Sequence, residues 1–221
     1  MQTRGEFLAT GAIAALASPK ASPSAAPAGS SEAPFAFDLA AFDAMTSKPA
    51  DHRHMFASTK LSGGTVLDAV KNTLDAYSSL GIAPSGVSTA VVLYHGSALG
   101  LAFSDRIWKN LLVPAIPQAP PFVRADLADH EHAAANPFWK PKKPGDASVS
   151  GLLEGGTMFF VCNHAMHGFA GLLAAKTQRL SADVYDELVA GLVPGAKLVP
   201  AGVWAVSALQ ERHYTYLQTT L

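Results

Sequence analysis

Thr157-Met158-Phe159-Phe160-Val161-Cys162-Asn163-His164-Ala165-Met166-His167 is the stretch that decides how this chain is read. Thr157 to Cys162 is a short apolar run rich in β-formers, suited to a strand buried on both faces. From Ala165 the pattern changes to Met166, Phe169, Ala170 and Leu173, the spacing of one helical face. A buried strand feeding directly into a helix is the unit from which parallel sheets are built.

Working outward, the same alternation recurs. His54 to Thr59 reads as a first strand, Leu61-Ser62-Gly63-Gly64 as a turn, and Val66, Val70, Leu74 and Tyr77 as a helical stripe ending near Gly81. Val87 to Tyr94 reads as a second strand, and Gly96 turns into a helix carrying Leu99, Phe103, Ile107 and Leu111. Beyond Cys162, a helix opened by Ser181 carries Val184, Leu188 and Leu192. Lys197 to Val199 reads as a strand, Gly202 to Arg212 as a helix, and Tyr214 to Gln218 as a last strand. The expectation is a three-layer α/β/α sandwich around a mostly parallel five-stranded sheet, occupying residues 51–221. Residues 113–147 interrupt the rhythm with Pro114, Pro117, Pro120, Pro121, Pro137, Pro141 and Pro144, which preclude a long helix or a central strand. They read as an insertion over one edge of the sheet, placed to act as a lid.

The start of the chain has a different character. Arg4 precedes Phe7-Leu8 and the uncharged run Ala9 to Ala17, the order of an export signal, assigned to residues 1–22. Thr3-Arg4-Gly5-Glu6-Phe7-Leu8 resembles a twin-arginine signal with Gly5 where the second arginine belongs, so both the twin-arginine and the general secretory route stay open. Either route predicts a periplasmic or otherwise exported protein. Residues 23–50 read as an Ala/Pro/Ser-rich linker. Across the chain, 49% hydrophobic and 15% charged residues suit a globular domain, and a formal charge of −1 gives no footprint for nucleic acid. No apolar run reaches the about 18 residues of a membrane span. One cysteine excludes an intrachain disulfide or a C-x-x-C pair.

Ligands of open parallel sheets bind beyond the carboxyl ends of the strands. Three loops bring reactive or small residues there: Tyr94-His95-Gly96-Ser97, Cys162-Asn163-His164, and Pro200-Ala201-Gly202-Val203-Trp204. Cys162 heads the candidates, since a thiol at a helix N-terminus feels the positive end of the helix dipole, which favours thiolate. His95 and His164 are its candidate helpers, and Asn163, Gly96, Gly202 and Trp204 the candidate ligand contacts. A buried, inert cysteine is the structural alternative. A metal alternative gathers Cys162, His164 and His167, with His95 as a fourth donor, a soft set suited to zinc or copper. Ser97 lacks the G-x-S-x-G frame of a nucleophile elbow. His130 and His132 read as a solvated face, and His52 and His54 lie at the opposite edge of the sheet.

Four segments in order resemble the DsrE/DsrF-like family. They are Val92-Leu93-Tyr94-His95-Gly96, Phe159-Phe160-Val161-Cys162-Asn163, Leu192-Val193-Pro194-Gly195-Ala196 with Leu198 to Val203, and Leu209-Gln210-Glu211 with Tyr214-Thr215-Tyr216. The resemblance implies the same α/β/α fold, a homo-oligomer without a cofactor, and a cysteine that accepts sulfur as a persulfide for a partner. By motif position that cysteine is Cys162 and the strand-end histidine is His95. His164 stands where the family has Asn, and the export signal and proline-rich insertion are additions to its small relay proteins.

Overall fold

The computed structural model describes residues 35–219. The signal expectation and the first part of the linker, residues 23–34, lie outside the described residues. Five strands, β1 (His52–Ser58), β2 (Val87–Leu93), β3 (Met158–Cys162), β4 (Ala196–Val199) and β5 (Thr215–Gln218), form one sheet in the order β4-β3-β2-β1-β5. Every pairing is parallel. The helices are α1 (Leu39–Thr46), α2 (Thr65–Ser79), α3 (Asp105–Ile107), α4 (Val113–Ala115), α5 (Pro121–Leu127), α6 (Val149–Glu154), α7 (Asn163–Thr177), α8 (Ser181–Ala190) and α9 (Gly202–Glu211).

The strands are apolar on both sides because both sides are covered. Along β2, Ala90 and Val92 face one core while Val91 and Leu93 face the other. In β3, Phe159 and Val161 separate from Phe160 in the same way. Each fully buried phenylalanine contributes about 2–3 kcal/mol of apolar burial. The larger core receives α2, α6, α7, α8 and the proline-rich segment, and the smaller receives α1 and α9. The result is a three-layer α/β sandwich.

The connections determine where a ligand can enter. Strands β1 to β4 are laid side by side in chain order, with their connecting helices on the larger-core face. After β4 the chain reverses direction and changes face together: α9 crosses the smaller core and sets β5 beside β1. Reversing both keeps every crossover the same hand. The chain therefore leaves β3 toward one face and β4 toward the other. That divergence opens a crevice at the carboxyl ends of these two neighbours, the switch point of the sheet.

Three expectations need correction. Part of the 23–50 linker is ordered: α1 is capped by Asp38, whose carboxylate accepts the Ala41 N–H at 2.8 Å, and buries Phe42 against Phe160. The continuous helix through Leu99 and Leu111 is instead a 3-10 segment, Gly96–Ala102, a break at Phe103, then α3, a π turn (Trp108–Leu112) and α4. Ala98, Leu99, Leu101, Ala102, Ile107, Trp108 and Leu112 are all buried, so no single face directed the backbone into one helix. The insertion packs on the larger-core face rather than over an edge, burying Val123, Leu127 and Phe138. Its longest helix, α5, has seven residues and begins at a proline, the helix position that tolerates one.

Candidate functional site

Cys162 is both the last residue of β3 and the N-cap of α7, so no loop intervenes between strand and helix. Its Sγ accepts the Ala165 N–H at 3.2 Å, taking up one of the donors that a helix leaves unpaired at its start. The residue is only 4% exposed, yet its side chain lines a cleft of about 350 Å³ at the β3–β4 crevice. The cleft has the size of a small-ligand site.

The neighbouring junctions complete it. After β2, Tyr94, His95 and Gly96 line the same cleft, with His95 exposed. Gly96 sits at φ +45°, a left-handed conformation that a side chain would strain. Burial and the adjacent Tyr216 hydroxyl push the Tyr94 phenol above its ordinary value of 10.0. After β4, Ala201, Gly202 and Val203 form the opposite wall. A Cβ on Gly202 would lie 1.8 Å from that of Tyr94, so only glycine lets the start of α9 approach the end of β2 this closely. The exposed His164 and the α7 residues Ala165, Gly168, Phe169 and Leu172 form a further wall, and Phe122 and Val123 of α5 close the remaining side. The insertion thus contributes a wall of the site through Phe122 and Val123.

Cys162, His95, His164, Gly96 and Gly202 therefore meet in one cleft, and three expected contacts do not. Asn163 is buried on the other side of the helix start, where its Oδ1 accepts the Tyr185 hydroxyl at 2.6 Å. Trp204 packs edge-on against Phe37 and tilted against Phe42, each at 5.1 Å. The helical turn from 203 to 204 carries it under α1 and leaves Val203 at the mouth. His167 stacks on Tyr185 with ring centroids 4.0 Å apart. The metal set is not assembled: among the described residues no three His, Cys, Asp or Glu side chains are placed to hold an ion. His164 lines the cleft while the Tyr185 ring holds His167 against α8.

Other singled-out residues have structural partners. Ser97 is buried, is absent from the cleft lining, and donates to Asp126 Oδ2. Asp126, which the sequence did not flag, also accepts the N–H groups of Leu61 at 2.6 Å and Ser62 at 2.8 Å. It ties the insertion to the turns after β1 and β2. His132 is exposed, whereas His130 is half-buried, edge-on to Phe138 at 5.0 Å and Trp108 at 5.9 Å. Burial, reinforced by Lys142, holds its imidazole below the ordinary 6.5. His54 bridges Tyr77 and Thr215, each at 2.7 Å, away from the cleft.

No protein-family model matches this chain, and no curated protein matches it either. Among solved structures, the chain is similar to the protein of unknown function MTH1491 from Methanobacterium thermoautotrophicum. The two are 14% identical, with 76% of this chain and 99% of that one covered, at a TM-score of 0.38.

Proposed function

We propose that this chain is a DsrE-like sulfur carrier in which Cys162 accepts sulfur as a persulfide and hands it to a partner thiol. The observation that carries the reading is the position of Cys162. A largely buried sulfur is the cap of a fifteen-residue helix and also part of the wall of a small-ligand cleft, beside His95 and His164. In loading, Sγ attacks the outer sulfur of a persulfide donor. A new S–S bond forms as the donor's own S–S bond breaks, and the bonding pair leaves on the donor's inner sulfur. The proton given up by the Cys162 thiol passes to that leaving sulfur through His95 or His164, so no oxidant is consumed. Discharge repeats the step, with a partner thiolate attacking the outer sulfur and Cys162 leaving. The positive end of α7 supports the charge on Sγ as it attacks and departs.

The export reading of residues 1–22 puts this chemistry in the cell envelope, and N-terminal sequencing of mature protein beginning at Met1 would refute it. The exposed β5 edge, with Tyr216 and Leu217, supports a homo-oligomer, which light scattering reads directly. The carrier itself is tested by intact mass after exposure to a persulfide donor. We expect a gain of one sulfur, removed by reductant and absent from Cys162→Ser. A parent protein that never gains sulfur would overturn the proposal. A second reading, binding of a small ligand without transfer, draws on the same cleft and predicts a saturable ligand with no reducible mass.

A further inference from the structure

The walls of the cleft specify what its donor carries behind the sulfur. Ala165, Gly168, Phe169 and Leu172 recur at helical spacing on one face of α7 and all line the cleft. At about 1.5 Å per residue this stripe runs about 10 Å away from Cys162. Phe122 and Val203 flank it, 67% and 65% exposed. None of the residues lining the cleft is Lys, Arg, Asp or Glu. The polar groups, Cys162, His95, His164 and Tyr94, come from the strand-end turns and the first residues of α7. An anionic donor such as thiosulfate would meet the α7 N-terminus and the histidines only at the sulfur end, and no fixed cation along the stripe.

We infer that the cleft takes an organosulfur compound with its sulfur at Cys162 and an uncharged alkyl or aryl body along the α7 stripe. The inference rests on the carrier reading for what happens to the sulfur, but not for the shape and polarity of what binds. With an alkyl persulfide the balanced step is R–S–SH + Cys162–SH → Cys162–S–SH + R–SH. The R–SH product keeps the apolar body, so release requires it to leave the same stripe.

The test uses the full chain and two readouts. Sulfur gain at Cys162 is timed by intact mass with ethyl, butyl and hexyl persulfides and with glutathione persulfide, which bears the same outer sulfur on a charged body. In parallel, ethanol, butan-1-ol and hexan-1-ol are titrated calorimetrically into Cys162→Ser, which binds without reacting. We expect loading rate and alcohol affinity to rise about twofold to fourfold per added methylene, with glutathione persulfide at least tenfold slower than hexyl. Phe122→Ser combined with Val203→Ser, both exposed and dispensable to the core, should flatten both series while leaving the melting temperature unchanged. A flat series with sulfur still loaded would overturn the apolar-donor inference and leave the carrier standing. A steep alcohol series with no sulfur moved would do the reverse. Neither binding nor loading would overturn both.

Discussion

Two strand-to-helix junctions lie at the same edge of the sheet and are finished in opposite ways. After β1, the turn at Leu61 and Ser62 gives its N–H groups to the carboxylate of Asp126, which also accepts from Ser97. The proline-rich segment closes this junction with its own charge. After β3 there is no turn, the cap is a sulfur, and the space beside it is a cleft of about 350 Å³. The chain uses a strong acceptor where it needs rigidity and a weak one where it leaves room. A junction capped by the protein's own carboxylate is structural; one capped by a weakly bonded thiol facing an open cleft is available for chemistry.

The sharpest way to break this contrast is to remove each cap. Asp126→Ala strips the acceptor from two backbone donors and a hydroxyl, and should cost about 3–5 kcal/mol. Chemical denaturation measures this; a loss below about 1 kcal/mol would mean that the β1 junction is not held by its carboxylate. Gly202→Ala tests the wall shared by both sides of the cleft. Its Cβ cannot coexist with that of Tyr94 as placed, and the overpacking should cost about 1–3 kcal/mol. Retention of full stability would show that α9 does not press on the end of β2. Cys162→Ala should cost only about 0.5–1 kcal/mol, the weak-cap limit. If it matched Asp126→Ala, Cys162 would be a core residue and the contrast would fail.

The smallest effect lies at neither junction. Burial, and then His52, hold His54 below its ordinary 6.5. Between the folded value and 6.5 the unfolded chain binds more protons, so stability is complete above 6.5 and declines as pH falls below it. The melting temperature should drop on acidification from pH 7.5 to 5.5, and His54→Gln should shrink the drop. His130 titrates in the same direction, so the slope is reduced rather than abolished. An unchanged slope in His54→Gln would remove His54 from the account.

The strands were legible because burial on both faces writes continuous apolar runs, such as Ala90 to Leu93 and Met158 to Cys162. The site was legible where chemistry sits at a strand end: Cys162, His95 and the two glycines all follow from that rule. What escaped was tertiary. Phe35, Phe37 and Phe42 were signals for ordered chain, outweighed by the Ala/Pro/Ser composition before Pro34. Leu99 to Leu112 is buried almost all round, so its periodicity carried no face. Asn163 and Trp204 are one residue from cleft-lining neighbours, and helical rotation alone decides on which side each falls. Asp126 is one acid among many in the sequence, and only the fold brings it to backbone donors some sixty residues away.

The central claim is that Cys162, though 4% exposed, can be reached in the native fold through the cleft. Alkylation of the folded protein by N-ethylmaleimide, followed by intact mass, tests it directly. We expect complete single modification without denaturant, slowed by hexan-1-ol. No modification until the protein unfolds would contradict it.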